Sequence, residues 1–412
     1  MRSFTHQINE VIFKSSKKRI VFLGTPDVSA TCLQKIEHAS KQPSSNFELI
    51  AVVTQPPAPA GRKLKLVSSP VQNLAEILQI NCLKPESAKD EEFLNALERL
   101  KPDLCITAAY GNFLPKRFLD IPRYGTLNIH PSLLPLYRGA APIQRCLENG
   151  DSVTGVTVAE TVLKMDSGPI VAQKRYALKG DEKAPEMHRI LFEEGTNLLL
   201  QVLPHYFEDC NLSPKARPEA STHPGRSEAN GQDQQPFQKI EQNHQNATPA
   251  NKILSTEAYV NLTAPSTSAR AVHNRVRAFA GWPGVWTYFR VGDGPTSEIQ
   301  RIKLITTTVL TYQQSNTPAG RNNIPLGKNA SANDQHTEVT LAKVPLYSHT
   351  AQTTDQYVLR ISCPDDSCIG VVEVQPPGKK VMDARSYFNG LRGRRVVVCH
   401  ADEPTNVQKD AD

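Results

Sequence analysis

Residues 125–144, GTLNIHPSLLPLYRGAAPIQ, begin as a short apolar strand that breaks at His130 and Pro131. Proline has no main-chain N–H and biases the preceding residue towards extended backbone, so the strand ends there. Side chains two residues apart on a strand point to the same side, which gives Asn128 and His130 a common face. A carboxamide that holds an oxyanion, beside an imidazole that moves protons, suits acyl transfer. On these two residues alone, a loop histidine and a turn asparagine explain the pattern at least as well.

The chain before this stretch alternates between apolar runs and helical spacing. Buried strands are predicted at residues 19–23, 47–54 and 103–108, and helices at residues 71–78 and 91–100. Strands that alternate with helices predict an α/β fold with a doubly wound, mostly parallel, Rossmann-like sheet, whose ligands lie outside the carboxyl ends of the strands. The first turn lacks the GxGxxG spacing of a dinucleotide site.

The length of 412 residues allows two domains. The segment over residues 208–251 is polar and cannot bury enough apolar surface to fold alone, so we predict a disordered linker there. A helix over residues 267–279, followed by short strands with turn signals, predicts a small antiparallel OB-like β-barrel. The predicted segments are a polar extension (1–18), a first domain (19–207), the linker (208–251), the barrel domain (252–398, with a polar insertion at about 313–336) and a tail (399–412).

Composition and charge restrict the classes of partner. No apolar run approaches the roughly 20 residues that span a bilayer, so no membrane association is expected. The eight cysteines are scattered, several in apolar runs, which predicts neither a disulfide framework nor a metal site. Residues 260–290 hold four arginines and no acidic residue, and residues 373–395 hold six basic residues against two acidic ones. These patches are either solvated faces or contacts to a phosphate backbone, and two in one small domain favour the backbone.

The run NIHPSLLPLYRGAAPIQ, with AAYG before it and MDSGP after it, resembles the signature of the formyltransferase family that uses 10-formyltetrahydrofolate. The AGR at residues 60–62 and the phrases RAFAGWPG and QPPGKK make the chain most similar to the methionyl-tRNA formyltransferases. The resemblance covers nearly the whole chain except the N-terminal extension, the two insertions and the tail.

This resemblance implies transfer of a formyl group from 10-formyltetrahydrofolate to the α-amine of methionine on initiator tRNA by a monomer, without metal, leaving tetrahydrofolate. Asn128, His130 and Asp166 are then catalytic, with Asp166 orienting His130 and stabilising its protonated form. The residues expected to line the folate pocket are Tyr110, Gly111, Ser132, Leu133, Leu134 and Pro135. The residues expected to contact tRNA are Arg62, Lys63, Lys65, Lys252, Arg275, Arg277, Lys379 and Lys380.

Two other functions remain open. A purine-pathway transformylase or a formyl-folate hydrolase shares HPSLLP but needs neither the Arg62 loop nor a basic barrel. An RNA-binding module on an inactive catalytic fold would not need Asn128, His130 and Asp166 together.

The compartment is a further expectation. Formylated initiators belong to bacteria, mitochondria and plastids, and the long polar insertions with the phrase ITAAYGNFLP resemble a plant-type organelle protein. We therefore expect a mitochondrial or plastid matrix, with the cytoplasm of a bacterial-type cell as the alternative. Residues 1–18 are either the remnant of a transit peptide or a polar extension.

Overall fold

The computed structural model describes residues 17–60, 64–212, 238–294, 297–311, 314, 337–347 and 353–400. The chain divides into two compact units. The first comprises Met1–Gly139, Val153–Ala177 and His188–Ala250, and the second comprises Ala140–Ser152, Leu178–Met187 and Asn251–Asp412. The predicted division by one linker is therefore incomplete, because two short segments before the linker belong to the second unit.

The first unit contains the predicted sheet. Its described strands are β1 (Lys18–Gly24), β2 (Phe47–Val53), β3 (Ala58–Ala60), β4 (Lys65–Val67), β5 (Cys82–Leu83), β6 (Leu104–Ala108), β7 (Thr126–His130), β8 (Val153–Glu160) and β9 (Ile170–Ala177). Seven of them form one sheet in the order β5-β2-β1-β6-β7-β8-β9, and β3 pairs with β4 in a separate hairpin. The pairs from β5 to β7 are parallel, whereas β8 is antiparallel to both β7 and β9. The mostly parallel, Rossmann-like fold is confirmed.

Several of the α-helices whose residues the structure describes begin at a capping side chain. The bounds of the described helices are α1 (Asp27–Ser40), α2 (Pro70–Ile77), α3 (Glu91–Leu100), α4 (Lys116–Asp120), α5 (Pro142–Asn149), α6 (Ala184–Leu212), α7 (Ala269–Ala278) and α8 (Ala384–Gly390). At α2 the Ser69 side chain accepts from the Gln72 N–H at 3.0 Å. At α3 the Asp90 carboxylate accepts from the N–H groups of Glu92 and Phe93. Such caps satisfy main-chain donors that have no partner inside the helix.

The loops after β1, β2 and β6 meet at one edge of the sheet. The Tyr110 carbonyl, two residues beyond β6, accepts from Thr25 Oγ1 at 3.0 Å and from Gln55 Nε2 at 3.2 Å. Gly111 follows at φ +89°, and a Cβ there would lie 2.7 Å from Gln55 Nε2. The carboxyl ends of the strands therefore converge, as the strand order predicts.

The prediction of a disordered linker is wrong for residues 238–250. Ile240 exchanges two main-chain hydrogen bonds with Ile170 of β9, at 2.8 and 2.9 Å. Gln242 and Ala250 are buried. The segment has no core of its own, and it is ordered because it pairs with a sheet edge that the sequence pattern does not reveal. Residues 213–237 of the predicted linker lie outside the described residues, and α6 continues to Leu212, beyond the predicted end of the first domain at residue 207.

The second unit is built on an antiparallel sheet. Its described strands are β10 (Val285–Val291), β11 (Glu298–Leu310), β12 (Thr340–Tyr347), β13 (Thr353–Ser362), β14 (Cys368–Gln375), β15 (Met382–Asp383) and β16 (Val396–Cys399), of which six follow the order β12-β13-β14-β11-β10-β16. The Val339 N–H donates to Val396 O, and the Val398 N–H donates to Thr337 O. Residues leading into β12 thus pair with β16, which closes the sheet and agrees with the predicted OB-like barrel.

The described residues include the start of the predicted tail and one residue of the predicted insertion. The predicted tail at 399–412 begins too early, because Cys399 is fully buried in β16 and pairs with Tyr288 of β10. Of the predicted insertion at about 313–336, all residues except Gln314 lie outside the described part of the chain.

Among the described residues, no helix is long and apolar enough to span a membrane.

A glycine in α6 tests how tightly the helix packs on the sheet. A Cβ at Gly195 would lie 2.5 Å from Ile129 Cγ2 and 2.6 Å from Val156 Cγ2. We expect Gly195→Ala to lower the free energy of unfolding by about 1–3 kcal/mol, because the β-branched neighbours must move. The measurement is urea unfolding followed by circular dichroism.

The matched control is Gly390→Ala at the end of α8, where an added Cβ meets no atom within 4 Å. This change should be neutral, or stabilising by up to about 1 kcal/mol, because alanine is the better helix former. Equal stabilities of the two variants would show that the contact of Gly195 with the sheet is loose.

Candidate active site

Asn128 and His130 lie two residues apart at the carboxyl end of β7. The neighbouring strand β6 places Thr107 beside Asn128, and Thr107 Oγ1 donates to Asn128 Oδ1 at 2.8 Å. This bond engages the carboxamide oxygen, so the side chain presents its Nδ2 group as a donor. Asn128 is half-buried, whereas His130 is 4% exposed. The strand end therefore offers one amide donor and one sheltered imidazole.

The His130 ring lies between two acceptors. Nε2 is 2.9 Å from the Tyr137 carbonyl oxygen. Nδ1 is 3.7 Å from Asp166 Oδ1. A ring with a proton on each nitrogen can donate towards both groups, and this pair of acceptors fixes the plane of the imidazole. The structure thus brings Asp166 to His130, as the resemblance implies.

Asp166 occupies a tight turn with an unusual backbone. Its φ is +49°, and the φ of Tyr137 is +60°. Non-glycine residues rarely adopt such values and need support from their surroundings. Asp166 Oδ2 accepts from the Gly139 N–H at 2.9 Å. Burial lowers the pKa of the adjacent Arg138 guanidinium, while the charge of Asp166 acts in the opposite direction.

Thr157 of β8 holds the loop over residues 132–135 through hydrogen bonds to the main chain of the loop. Thr157 Oγ1 donates to Ser132 O at 2.6 Å and accepts from the Leu134 N–H at 3.1 Å. Gln173 Nε2 donates to Leu134 O at 2.7 Å and also contacts Thr157 Oγ1 at 2.9 Å. Because the polar groups of the loop are satisfied within the protein, its shape exists before any ligand binds.

The predicted folate-pocket residues divide by burial. The side chains of Ser132, Leu134 and Tyr110 are buried, and Ser132 Oγ donates to Leu136 O at 2.7 Å. Their side chains form the base of the loops, and their place in the folate pocket stays a prediction. Leu133 and Pro135 are half-buried and Gly111 is exposed, so they remain candidates. Burial also raises the pKa of the Tyr110 hydroxyl.

The predicted tRNA contacts fall into three groups. Arg62 and Lys63 lie outside the described residues. Lys65, Lys252, Lys379 and Lys380 are exposed, and Lys65 belongs to the β3–β4 hairpin, where Leu64 and Leu66 are exposed as well. Among the described residues, no three His, Cys, Asp or Glu side chains form a group that could hold a metal ion.

The two arginines of α7 differ from these lysines. Arg275 Nε donates to Glu148 Oε1 of α5 at 3.2 Å. Arg277 is 3% exposed, its Nε donates to Asn274 Oδ1, and burial lowers the pKa of its guanidinium. Arg277 therefore lies in the interior of the second unit, and its contact with tRNA stays a prediction.

The sequence did not predict the role of three polar residues around the site. Thr107 and Thr157 lie within strand patterns, where a hydroxyl gives no sign of its partner. Gln242 belongs to the segment predicted to be disordered, yet its Nε2 donates to Asp166 O and Gly168 O. No local pattern signals these contacts, since each joins residues that are far apart in the sequence.

Family models and curated relatives match most of the chain. The model described as formyl transferase matches residues 18–203, and the model of the formyl transferase C-terminal domain matches residues 252–392. A methionyl-tRNA formyltransferase of Acetivibrio thermocellus is 36% identical over 73% of this chain and 83% of its own length. One from Macrococcus caseolyticus is 31% identical over 92% of this chain and 97% of its own length.

Two solved structures match this chain at low identity, with TM-scores below 0.5. The N-formyltransferase from Helicobacter canadensis, in complex with folinic acid and dTDP-3-aminofucose, is 13% identical over 86% of this chain and 98% of that one, with a TM-score of 0.49. Glycinamide ribonucleotide transformylase 1 from Symbiobacterium toebii is 22% identical over 48% of this chain and 92% of that one, with a TM-score of 0.41.

Two family models that together span both units, and relatives matched along nearly their full length, confirm the predicted family. The chain is a formyl-transferring enzyme and belongs to the methionyl-tRNA formyltransferase family.

Proposed function

We propose that this chain transfers a formyl group from 10-formyltetrahydrofolate to the α-amino group of methionine on initiator tRNA. The observation that carries the proposal is the placement of Asn128 and His130 on one strand end, with Asp166 3.7 Å from the imidazole. Membership of the methionyl-tRNA formyltransferase family supports the choice of acceptor. The direct test compares formyl transfer to methionyl initiator tRNA and to glycinamide ribonucleotide, and a preference for the ribonucleotide would contradict the proposal.

The reaction forms one bond and breaks another. The neutral amine attacks the formyl carbon, and the carbonyl electron pair moves onto oxygen. Asn128 Nδ2 and protonated His130 donate to that oxyanion, which is how such groups lower an acyl-transfer barrier. Collapse of the intermediate then breaks the bond from carbon to N10, and tetrahydrofolate leaves. The proton lost by the amine passes to N10 through a water molecule held by Asp166.

The contact of His130 with Tyr137 supports the assignment of its donor nitrogen. Nε2 is directed at a carbonyl oxygen in this structure, at 2.9 Å. The substrate oxyanion accepts from this same Nε2 proton, which it shares with the Tyr137 carbonyl, while Nδ1 keeps Asp166 as its neighbour. The Asp166 carboxylate, with Oδ1 3.7 Å from Nδ1, orients the ring so that Nε2 is the donor to the oxyanion.

We assign the folate and the tRNA to predicted contact residues that are at least partly exposed. Gly111, Leu133 and Pro135 are the predicted pocket residues that retain exposure, and we assign them to the folate. Lys65, Lys252, Lys379 and Lys380 are exposed and supply positive charge for the tRNA backbone. We also assign Arg62 and Lys63 to the tRNA, because the resemblance implies that this segment contacts the acceptor stem.

The proposed compartment is a mitochondrial or plastid matrix, supported by the resemblance of the polar insertions to those of plant-type organelle proteins. A C-terminal fluorescent fusion expressed in the source cells tests it. Overlap with an organelle marker is expected, and a diffuse signal throughout the cell would contradict it.

Removing either polar group of the strand end should impair chemistry without unfolding the protein. We expect His130→Ala and Asn128→Ala each to lower the single-turnover rate by roughly 10²–10⁴-fold, because each removes a donor to the oxyanion. Circular dichroism of the same samples checks the fold. A folded variant with a near-normal rate would remove that residue from the mechanism.

Two kinds of basic residue should affect tRNA differently. A guanidinium can contact base edges and phosphates together, so Arg62→Ala should reduce discrimination between initiator and elongator methionyl-tRNA. Lys379→Ala combined with Lys380→Ala should weaken binding of both tRNAs about equally and flatten the salt dependence. The measurement is kcat/KM for both tRNAs at two ionic strengths. An unchanged initiator-to-elongator ratio in Arg62→Ala would show that this loop does not select the tRNA.

A further inference from the structure

Gln242 connects two loops of the candidate active site. Its Nε2 donates to Asp166 O at 3.0 Å and to Gly168 O at 2.7 Å. Its Oε1 accepts from Arg138 Nε at 3.1 Å and also from Arg138 Nη2. With 5% exposure, the side chain has both donors and its acceptor engaged inside the protein.

The contacts of Gln242 support a backbone that is costly by itself. Asp166 has a φ of +49°, a conformation that a non-glycine residue keeps only where the surrounding structure holds it there. Gln242 binds the carbonyl of Asp166 itself and the carbonyl two residues later. It therefore constrains the peptide that follows the aspartate and the peptide that follows Gly168.

The same segment holds the loop that faces Asp166. The Arg138 N–H donates to Thr248 O at 2.8 Å, and the Ala250 N–H donates to Arg138 O at 2.6 Å. Tyr137 is held as well, because its N–H donates to Thr248 Oγ1 at 2.8 Å. The next residue, Gly139, donates to the Asp166 carboxylate, and the Tyr137 carbonyl contacts His130. Residues 242–250 thus fix the donors and acceptors around the catalytic pair.

We infer that Gln242 is a positioning residue for the reaction, which holds the Asp166 carboxylate against His130; this inference rests on the proposed function. Only a side chain with two N–H donors and one acceptor satisfies two carbonyls and a guanidinium at once. Loss of these donors lets the turn around Asp166 relax, and a shift of about 1 Å in a catalytic group costs up to about 10²-fold in rate.

The first experiment measures positioning without turnover. Hydrogen exchange of the Gly139 amide reports its bond to Asp166 Oδ2. We expect Gln242→Ala and Gln242→Glu to accelerate that exchange about tenfold or more. Gln242→Glu keeps the size of the side chain and the contact with Arg138 but lacks both donors, so it serves if the alanine variant does not fold. The matched control is Gln245→Ala, an exposed glutamine of the same segment. Unchanged exchange in Gln242→Glu would overturn the inference whatever the substrate.

The second experiment separates positioning from general stability. Gln242→Glu should lower kcat about 10- to 100-fold with KM for both substrates nearly unchanged. In an Asp166→Ala background the same change should lower kcat by less than about threefold, because the group it positions is absent. Equal effects in both backgrounds would overturn the inference and indicate a purely structural role. A wild-type enzyme inactive with methionyl initiator tRNA would contradict the proposed function, while the exchange of Gly139 still decides the role of Gln242.

Discussion

The contact between the His130 imidazole and the Asp166 carboxylate is the interaction on which the rest of the site depends. A histidine that is 4% exposed needs partners for both nitrogens, since a buried polar group without one is costly. Tyr137 O and Asp166 supply those partners, and their residues adopt φ values of +60° and +49°. The turns at Tyr137 and Asp166 therefore lie on either side of the His130 ring, and the neighbouring structure has to stabilise both conformations.

The support comes from elements with different local sequences. Thr107 of β6 orients Asn128, Thr157 of β8 fastens the loop after His130, and Gln242 binds the turn of Asp166. Each contact satisfies a main-chain or side-chain polar group that burial would otherwise leave without a partner. The dipoles of a preformed site of this kind are already oriented before the reaction. This preorganisation is the usual source of electrostatic catalysis.

The basic side chains of the second unit lie in two different environments. Lys379 and Lys380 are exposed, where a long-range attraction to phosphate costs little desolvation. Arg275 and Arg277 instead satisfy groups of their own unit, Glu148 and Asn274. Net charge along the sequence does not distinguish these cases, because burial rather than composition decides how accessible a guanidinium is.

The sequence by itself determined the sheet of the first unit, the barrel of the second and the strand end that bears Asn128 and His130. These features follow from short-range signals: apolar periodicity, turn residues, and a proline that ends β7. The family was also recognisable, since its motifs are contiguous. Only the tertiary structure decided that Asp166 lies 3.7 Å from His130, that Arg277 is buried, and that residues 238–250 belong to the first unit. Each of these depends on a contact between distant segments, and a polar residue such as Gln242 has the same local pattern whether it is solvated or holds a catalytic turn in place.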